Sequence, residues 1–207
     1  MPAAGVQTGR MTRVIAGQAR GRRLAVPPGR STRPTSDRAR EALFAASSSI
    51  LGSFEGARVL DLYAGSGAIG LEALSRGAAR VLLVESDARA VRVIRDNIAA
   101  VGLPGARVVA DRVQRMLTRG RPDDDEPYDV AFADPPYATG GEEVTAMLSA
   151  LRGGGWLAGA ALVIVERATR SGPPAWPDGY VPGRSHRYGD ATLWYGHAAG
   201  APAARLA

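Results

Sequence analysis

The chain has 207 residues, 45% of them hydrophobic and 22% charged, a balance that fits one α/β domain with an appendage and a sizeable core. It contains no cysteine, which excludes disulfides, thiolate metal centres and any mechanism built on a cysteine nucleophile, including that of the cysteine-dependent pyrimidine C5 enzymes. There is no run of about 18 apolar residues to span a bilayer and no charged-then-apolar leader, so the reading is of a soluble, cytoplasmic protein with no membrane partner.

The net charge is +6, and every basic residue is an arginine. Residues 1–40 hold nine arginines against Asp37, +8 in all, and the remainder of the chain carries −2. Biased codon usage explains the missing lysine but not the clustering. A compact arginine field is the footprint of a polyanion partner, because each guanidinium can grip phosphate in a bidentate fork.

In chain order, residues 1–12 are expected to be unstructured, with Met11 as a second possible start. "RVIAGQARGRRLAVP" reads as two short strands around a turn, and residues 13–35 are assigned to this hairpin extension and a linker, "PPGRSTRP". "TSDRAREALFAASSSIL" reads as a helix capped by Thr35 or Ser36, with Asp37 in its first turn and Ala39, Leu43, Ala46 and Ile50 on its buried face. Residues 36–197 form the main domain. Its candidate strands are "RVLDLY", "RVLLVE", "ARVVAD", "YDVAFAD" and "ALVIVER". Helices "IGLEALSRG", "DARAVRVIRDNIAAVG" and "EEVTAMLSALR" lie between them, with a short one after Asp111. That alternation predicts a doubly wound α/β fold with a mostly parallel sheet. "YVPGRSHRYGDATLWYG" reads as an antiparallel hairpin at the sheet edge. Residues 198–207 read as an unstructured tail.

Three glycines, Gly65, Gly67 and Gly70, follow the first main-domain strand in the dinucleotide-site spacing G-x-G-x-x-G. That spacing alone is weak, since glycines also serve tight turns and close packing. Glu85 ends the second strand, where an acid can take both ribose hydroxyls, but dinucleotide enzymes and methyltransferases share that feature. Asp61 is more telling. A carboxylate there repels a pyrophosphate and favours the ammonium or sulfonium of S-adenosylmethionine. Asp111 ends the third strand, where an acceptor can meet the adenine amino group. "FADPPY" ends the fourth. Methylating an exocyclic amine requires acceptors that hold its hydrogens and let nitrogen pyramidalise. Asp134 offers a carboxylate, Pro135 a carbonyl without a competing N–H, and Tyr137 a face for an extruded base. His186 and His197 form no metal-ligating set with the acids, and "RPDDDEP" reads as a solvated loop, so no metal is expected.

The pair "DLYAGSGAIG" and "DPPY" resembles class I S-adenosylmethionine-dependent amino-methyltransferases. The wider order, "RVIAGQARGRRLAVP", "RPTSDRAREALF", "DLYAGSGAIGLEALSRGA", "VESD" and "DPPY", resembles the RsmD family of small-subunit (16S) ribosomal RNA guanine-N2 methyltransferases over roughly residues 11–195. The resemblance implies a Rossmann-like class I fold, a seven-stranded sheet with an antiparallel C-terminal hairpin and the small N-terminal hairpin. It implies that Asp61, Leu62, Tyr63, Ala64, Gly65, Ser66 and Gly67 hold the methionine moiety of S-adenosyl-L-methionine. Glu85 would then hold the ribose and Asp111 the adenine, with Ser86 and Arg112 beside them also binding the cofactor. Asp134, Pro135, Pro136 and Tyr137 would hold the target base, and Arg13, Arg20, Arg22, Arg23, Arg30, Arg33 and Arg38 the RNA. The partner implied is small-subunit ribosomal RNA within an assembled or partly assembled 30S subunit, with the enzyme a monomer. Two departures stand out: Tyr63 replaces the first glycine of D-x-G-x-G-x-G, and Asp134 stands where adenine-N6 enzymes more often carry asparagine. A DNA or other RNA methyltransferase, a protein-glutamine methyltransferase, a nicotinamide oxidoreductase and a non-catalytic RNA-binding module are the alternatives.

Overall fold

The computed structural model describes residues 11–28 and 37–200. Arg30, Arg33, the expected caps Thr35 and Ser36, and the segments 1–10 and 201–207 lie outside the described residues.

Four apolar runs make the parallel centre of a seven-stranded sheet: β3 (Arg58–Leu62), β4 (Arg80–Glu85), β5 (Ala106–Ala110) and β6 (Tyr128–Ala133). All but the first residue of β3 and of β4 are buried, as befits strands covered on both faces. β7 (Leu157–Ala168) is longer than "ALVIVER" because it also pairs through Leu157 with Tyr128, before a register shift at Val130. β8 (Tyr180–Tyr188) and β9 (Ala191–Ala198) close the sheet in antiparallel fashion, in the order β5-β4-β3-β6-β7-β9-β8. The expected class I architecture is borne out, with β9 inside the sheet and β8 alone at that edge.

The crossovers are helices. α2 (Ala68–Ser75) and α3 (Ala88–Val101) lead from β3 to β4 and from β4 to β5. α4 (Val113–Thr118) carries the chain back across β3 to β6, and α5 (Gly141–Gly153) leads on to β7. The direction of winding therefore reverses between β3 and β6: the chain leaves β3 for α2 on one face and β6 for α5 on the other, which opens a crevice at the carboxyl ends of these strands, where ligands of such sheets bind. Leu60 and Leu62 pack with Val113, Met116, Leu117, Met147 and Leu148 on one face. Val59 packs with Ala73, Leu74 and Ile94 on the other, beneath α1 (Asp37–Leu51).

The buried stripe of α1 differs from expectation. Arg40, Leu43, Phe44 and Ser47 are buried, while Ala46 and Ile50 are only partly so. Hydropathy spacing misses Arg40, which is 2% exposed: its two terminal nitrogens donate to Thr12 Oγ1, the Arg13 carbonyl and Asp37, while its Nε is buried without a partner.

The N-terminal extension is not a projecting arm. Its first strand, β1 (Met11–Arg13), begins inside the segment expected to be unstructured and pairs antiparallel with β2 (Arg23–Ala25). Val14, Ala19 and Leu24 are buried against Leu71 and Val101. The fully buried Glu72 accepts from the backbone N–H of Ile15 (2.6 Å) and Ala16 (3.0 Å), and pairs with Arg76 at 2.8 Å. Asn97 exchanges two hydrogen bonds with Ala25 and donates a third to the Ser66 carbonyl. Deleting Arg13 to Pro28 would therefore strip part of the core, leave Glu72 without its two backbone donors and take two of the three bonds from Asn97, so the extension is not separable from the domain beneath it.

Candidate active site

The turn after β3 brings its residues together at the switch point. Tyr63 sits at φ 62°, in the left-handed region where glycine is at home. That backbone strain lies at the carboxyl end of a central strand, the kind of place where strain accompanies function. Gly70 answers a different need, since a Cβ there would lie 2.7 Å from Val81 Cγ1 and 3.1 Å from Asp61 Oδ2. It lets α2 lie directly on the sheet.

Tyr63, Glu85, Ser86, Asp111, Arg112 and Pro136 line one cleft, as do Val113, Gln114, Thr139 and Glu143, which the motifs did not mark. The Tyr63 hydroxyl donates to Gln114 Oε1 at 3.2 Å, and Gln114 Nε2 to the Glu143 carbonyl at 3.2 Å, joining the turn to α5 across the cleft. Burial and the nearby Glu143 charge push the Tyr63 phenol up to about 12, so it remains a donor at neutral pH.

Glu85 is buried. One of its oxygens accepts from Gly65 N–H (2.9 Å), the other from Ser86 (2.8 Å) and Asp87 (2.9 Å), which bolts the glycine turn to the end of β4. Asp111 is more encumbered. It accepts from its neighbour's N–H (2.7 Å), from Arg115 Nε (2.5 Å) and from Arg119. Both guanidiniums are largely exposed, so an adenine amine would compete with them at the cleft wall.

Asp61 lies below the surface rather than on it. It is 1% exposed and accepts from Gly70 N–H at 2.9 Å. Burial pushes its carboxyl up to about 7 against the opposing pull of that hydrogen bond, and the charges of Asp134 and Glu85 add to the rise. Leu62 and Gly67 are buried with it, while Ala64, Gly65 and Ser66 are partly open.

Asp134 extends the β3–β6 ladder, its N–H donating to the Leu62 carbonyl at 3.4 Å, and is half-buried. Pro135 is buried, Pro136 is exposed, and Tyr137 is 52% exposed. The motifs passed over Glu166. It lies one residue beyond Val165, which pairs with Ala133, and so stands beside Asp134 on the neighbouring strand. Glu166 is 8% exposed, and its Oε2 is buried without a hydrogen-bond partner. Burial, then the Asp134 charge, pushes its carboxyl up to about 8. Asp61 and Glu166 both hold a proton more tightly folded than unfolded. Each therefore subtracts stability as pH rises from the ordinary carboxylate range through about 7 and 8 respectively, and the loss levels off above that.

Of the arginines expected to meet RNA, Arg20, Arg22, Arg23 and Arg38 are exposed, and Arg13 is ion-paired with Asp37 at 2.9 Å. Among the described residues no group of three or more His, Asp or Glu is arranged to hold a metal ion, and no helix is long and apolar enough to cross a membrane.

A family model described as conserved hypothetical protein 95 matches residues 12–197. Ribosomal RNA small subunit methyltransferase D of Escherichia coli K12 is 40% identical over 165 residues, 80% of this chain and 79% of that protein. The solved structure of yhhF from Escherichia coli superposes with a TM-score of 0.80 at 35% identity, covering 93% of this chain and 100% of the other. A hypothetical protein of Thermus thermophilus gives 0.72 at 35% identity, over 89% and 98%. With nearly the whole described chain inside that match, from the β1 strand to the end of the sheet, the protein belongs to the family of ribosomal RNA small subunit methyltransferase D.

Proposed function

We propose that the chain transfers a methyl group from S-adenosylmethionine to the exocyclic N2 amine of a guanine in small-subunit ribosomal RNA. The observation that carries this is the juxtaposition at the switch point. The Asp134 carboxylate and Pro135 carbonyl cap β6 directly beside the glycine turn that caps β3. The cleft's acids and buried Asp61 suit a cationic ligand with ribose hydroxyls, and S-adenosylmethionine, when bound, supplies an electrophilic methyl group on sulfur. Asp134 and Pro135 accept the two amine hydrogens, which frees the nitrogen lone pair from the ring. As nitrogen gains the methyl group it loses a proton, which the Asp134 carboxylate takes up. Tyr137 stacks on the extruded base. Arg20, Arg22 and Arg23 hold RNA phosphates on the docked extension.

The direct experiment supplies the pure protein with S-adenosylmethionine and small-subunit ribosomal RNA, both naked and as subunits, and maps the modified nucleosides by mass. N2-methylguanosine is the expected product. A methylated adenine, a methylated ribosomal protein or no transfer in either form would overturn the assignment.

A cation next to Asp61 favours its ionised form, so cofactor binding expels a proton when Asp61 starts out protonated. Affinity is expected to rise as pH increases through about 7 and then to level off. Calorimetry near pH 7 in buffers of different ionisation enthalpy checks this, and buffer-independent heats would remove Asp61 from the linkage.

The arginines predict a salt dependence. Replacing Arg20, Arg22 or Arg23 with alanine should each flatten the slope of log affinity against log salt by about 0.7 to 0.9. The methylated base should stay the same, because phosphate contacts set grip and register. Unchanged slopes in all three variants would show that the extension touches no phosphate.

A further inference from the structure

A carboxyl group with one buried oxygen lacking a hydrogen-bond partner is costly, and a sheet interior gains more from a leucine. Glu166 is such a group. The β6–β7 register sets it next to Asp134, one step beyond the Ala133–Val165 pair and on the same face of the sheet as Asp61. On its other side β9 presents Leu193, so the charged neighbour acting on it is Asp134. His186 stands in the same row beyond Leu193, two strands away, and Asp61 lies on the same face two strands off through β6. On the helix over this face, Arg40 turns its terminal nitrogens to Thr12, Arg13 and Asp37, and the carboxylates acting on its charge are Glu72 and Asp37. No cation among these is shown paired with Glu166.

Two adjacent carboxyls, one half-buried and one deeply buried, cannot both ionise cheaply, so the pair retains one proton near neutral pH. The deeper member loses most by carrying charge. The geometry points to Glu166 as a positioning residue that keeps this proton, donates it in a hydrogen bond to Asp134, and so leaves Asp134 ionised and aimed at the target amine. This role rests on the function proposed above. The proton taken from the amine goes to Asp134, while Glu166 neither gains nor loses one during transfer.

The role separates glutamine from leucine at position 166. Glu166→Gln keeps a donor toward Asp134 and is expected to retain turnover within about threefold, whereas Glu166→Leu keeps only the volume and is expected to lose about 100-fold in kcat. Cofactor Kd and RNA KM should move little in either. The wild-type kcat should fall above about pH 8 as Glu166 ionises, and that limb should vanish in Glu166→Gln. Thermal unfolding guards against a folding artefact, since Glu166→Leu should melt above the wild type despite its slower turnover. Equal turnover in the wild type and Glu166→Leu, equal loss in both variants, or an alkaline limb that persists in Glu166→Gln would overturn the role. A measurement independent of substrate is carbon NMR of labelled glutamate in the full chain. The Glu166 carboxyl should titrate well above the ordinary range and shift down in Asp134→Asn, and an ordinary or unmoved titration would also overturn it. Absence of methyl transfer by the wild type, with that titration intact, would count against the proposed reaction rather than against the pair.

Discussion

Asp134→Ala is expected to cut turnover by at least about 1,000-fold while the cofactor dissociation constant changes less than about threefold. An exocyclic amine has almost no nucleophilicity while its lone pair is shared with the ring. The carboxylate becomes most valuable as nitrogen turns pyramidal and positive, so its contribution belongs to the transition state and not to the ground-state complex. Losing it should therefore lower kcat and kcat/KM together. Asp134→Asn refines the point, because the amide still accepts a hydrogen bond but cannot take up a proton. It should recover part of the loss if orientation dominates and none if proton uptake does. Either variant should also lower the titration points of Asp61 and Glu166, both of which the Asp134 charge raises. Single-turnover kinetics on ribosomal RNA, alongside calorimetry with the cofactor, make the comparison. Turnover surviving in Asp134→Ala would remove this residue from the chemistry.

Gly17→Ala should be the most damaging single methyl group in the extension. Gly17 has φ 82°, and a Cβ there would fall 1.8 Å from the Ser75 carbonyl oxygen, a backbone atom that cannot swing aside. Relief requires lifting the extension off α2. That breaks Gln18 N–H to Ser75 O (2.7 Å), Ala19 N–H to Ser75 Oγ (2.9 Å) and Ser75 Oγ to Ala16 O (2.6 Å). Left-handed strain and overpacking together should cost about 3 kcal/mol. Gly21 is the control. It has nearly the same φ, 84°, with nothing within 4 Å of a Cβ, so Gly21→Ala should cost only the strain, about 1 to 2 kcal/mol. Urea unfolding of the two variants separates the effects, and equal midpoints would show that the Ser75 contact carries no weight.

Much of this was legible because parallel strands buried on both faces must be almost wholly apolar. "RVLLVE" and "YDVAFAD" announce themselves, and a charged residue at the end of such a run marks where the strand meets water or a ligand. The same rule hid Glu166, which reads as the polar end of "ALVIVER" although the antiparallel β9 continues to cover it. It also misjudged Asp61, which ends its strand in sequence but points at the start of α2. Arginine misled twice. Arg40 was passed over on α1 because hydropathy assigns it to water, yet its backbone and hydroxyl partners sit in a distant segment. The extension reads as an appended hairpin with arginines near its turn, and nothing in that pattern announces that it docks on the domain. Its anchors Val14, Ala19 and Leu24 follow neither a strand nor a helix period, and the groups that receive them lie on other elements. Asp111 was recognisable as a strand-ending acid, but its two arginine partners follow only once α4 is known to turn back over it.

The docking of the extension also sets an order of events during synthesis. The segment around Ile15 leaves the ribosome before its partners: Glu72, which takes up its N–H, lies 57 residues further on, and Asn97 lies 72 residues beyond Ala25. Such distant closures form late, since the chain loses entropy before any contact rewards it. A stretch made before its partners is therefore fixed only after them. A nascent chain that ends before Asn97 still carries it undocked, with Val14 and Leu24 open to water.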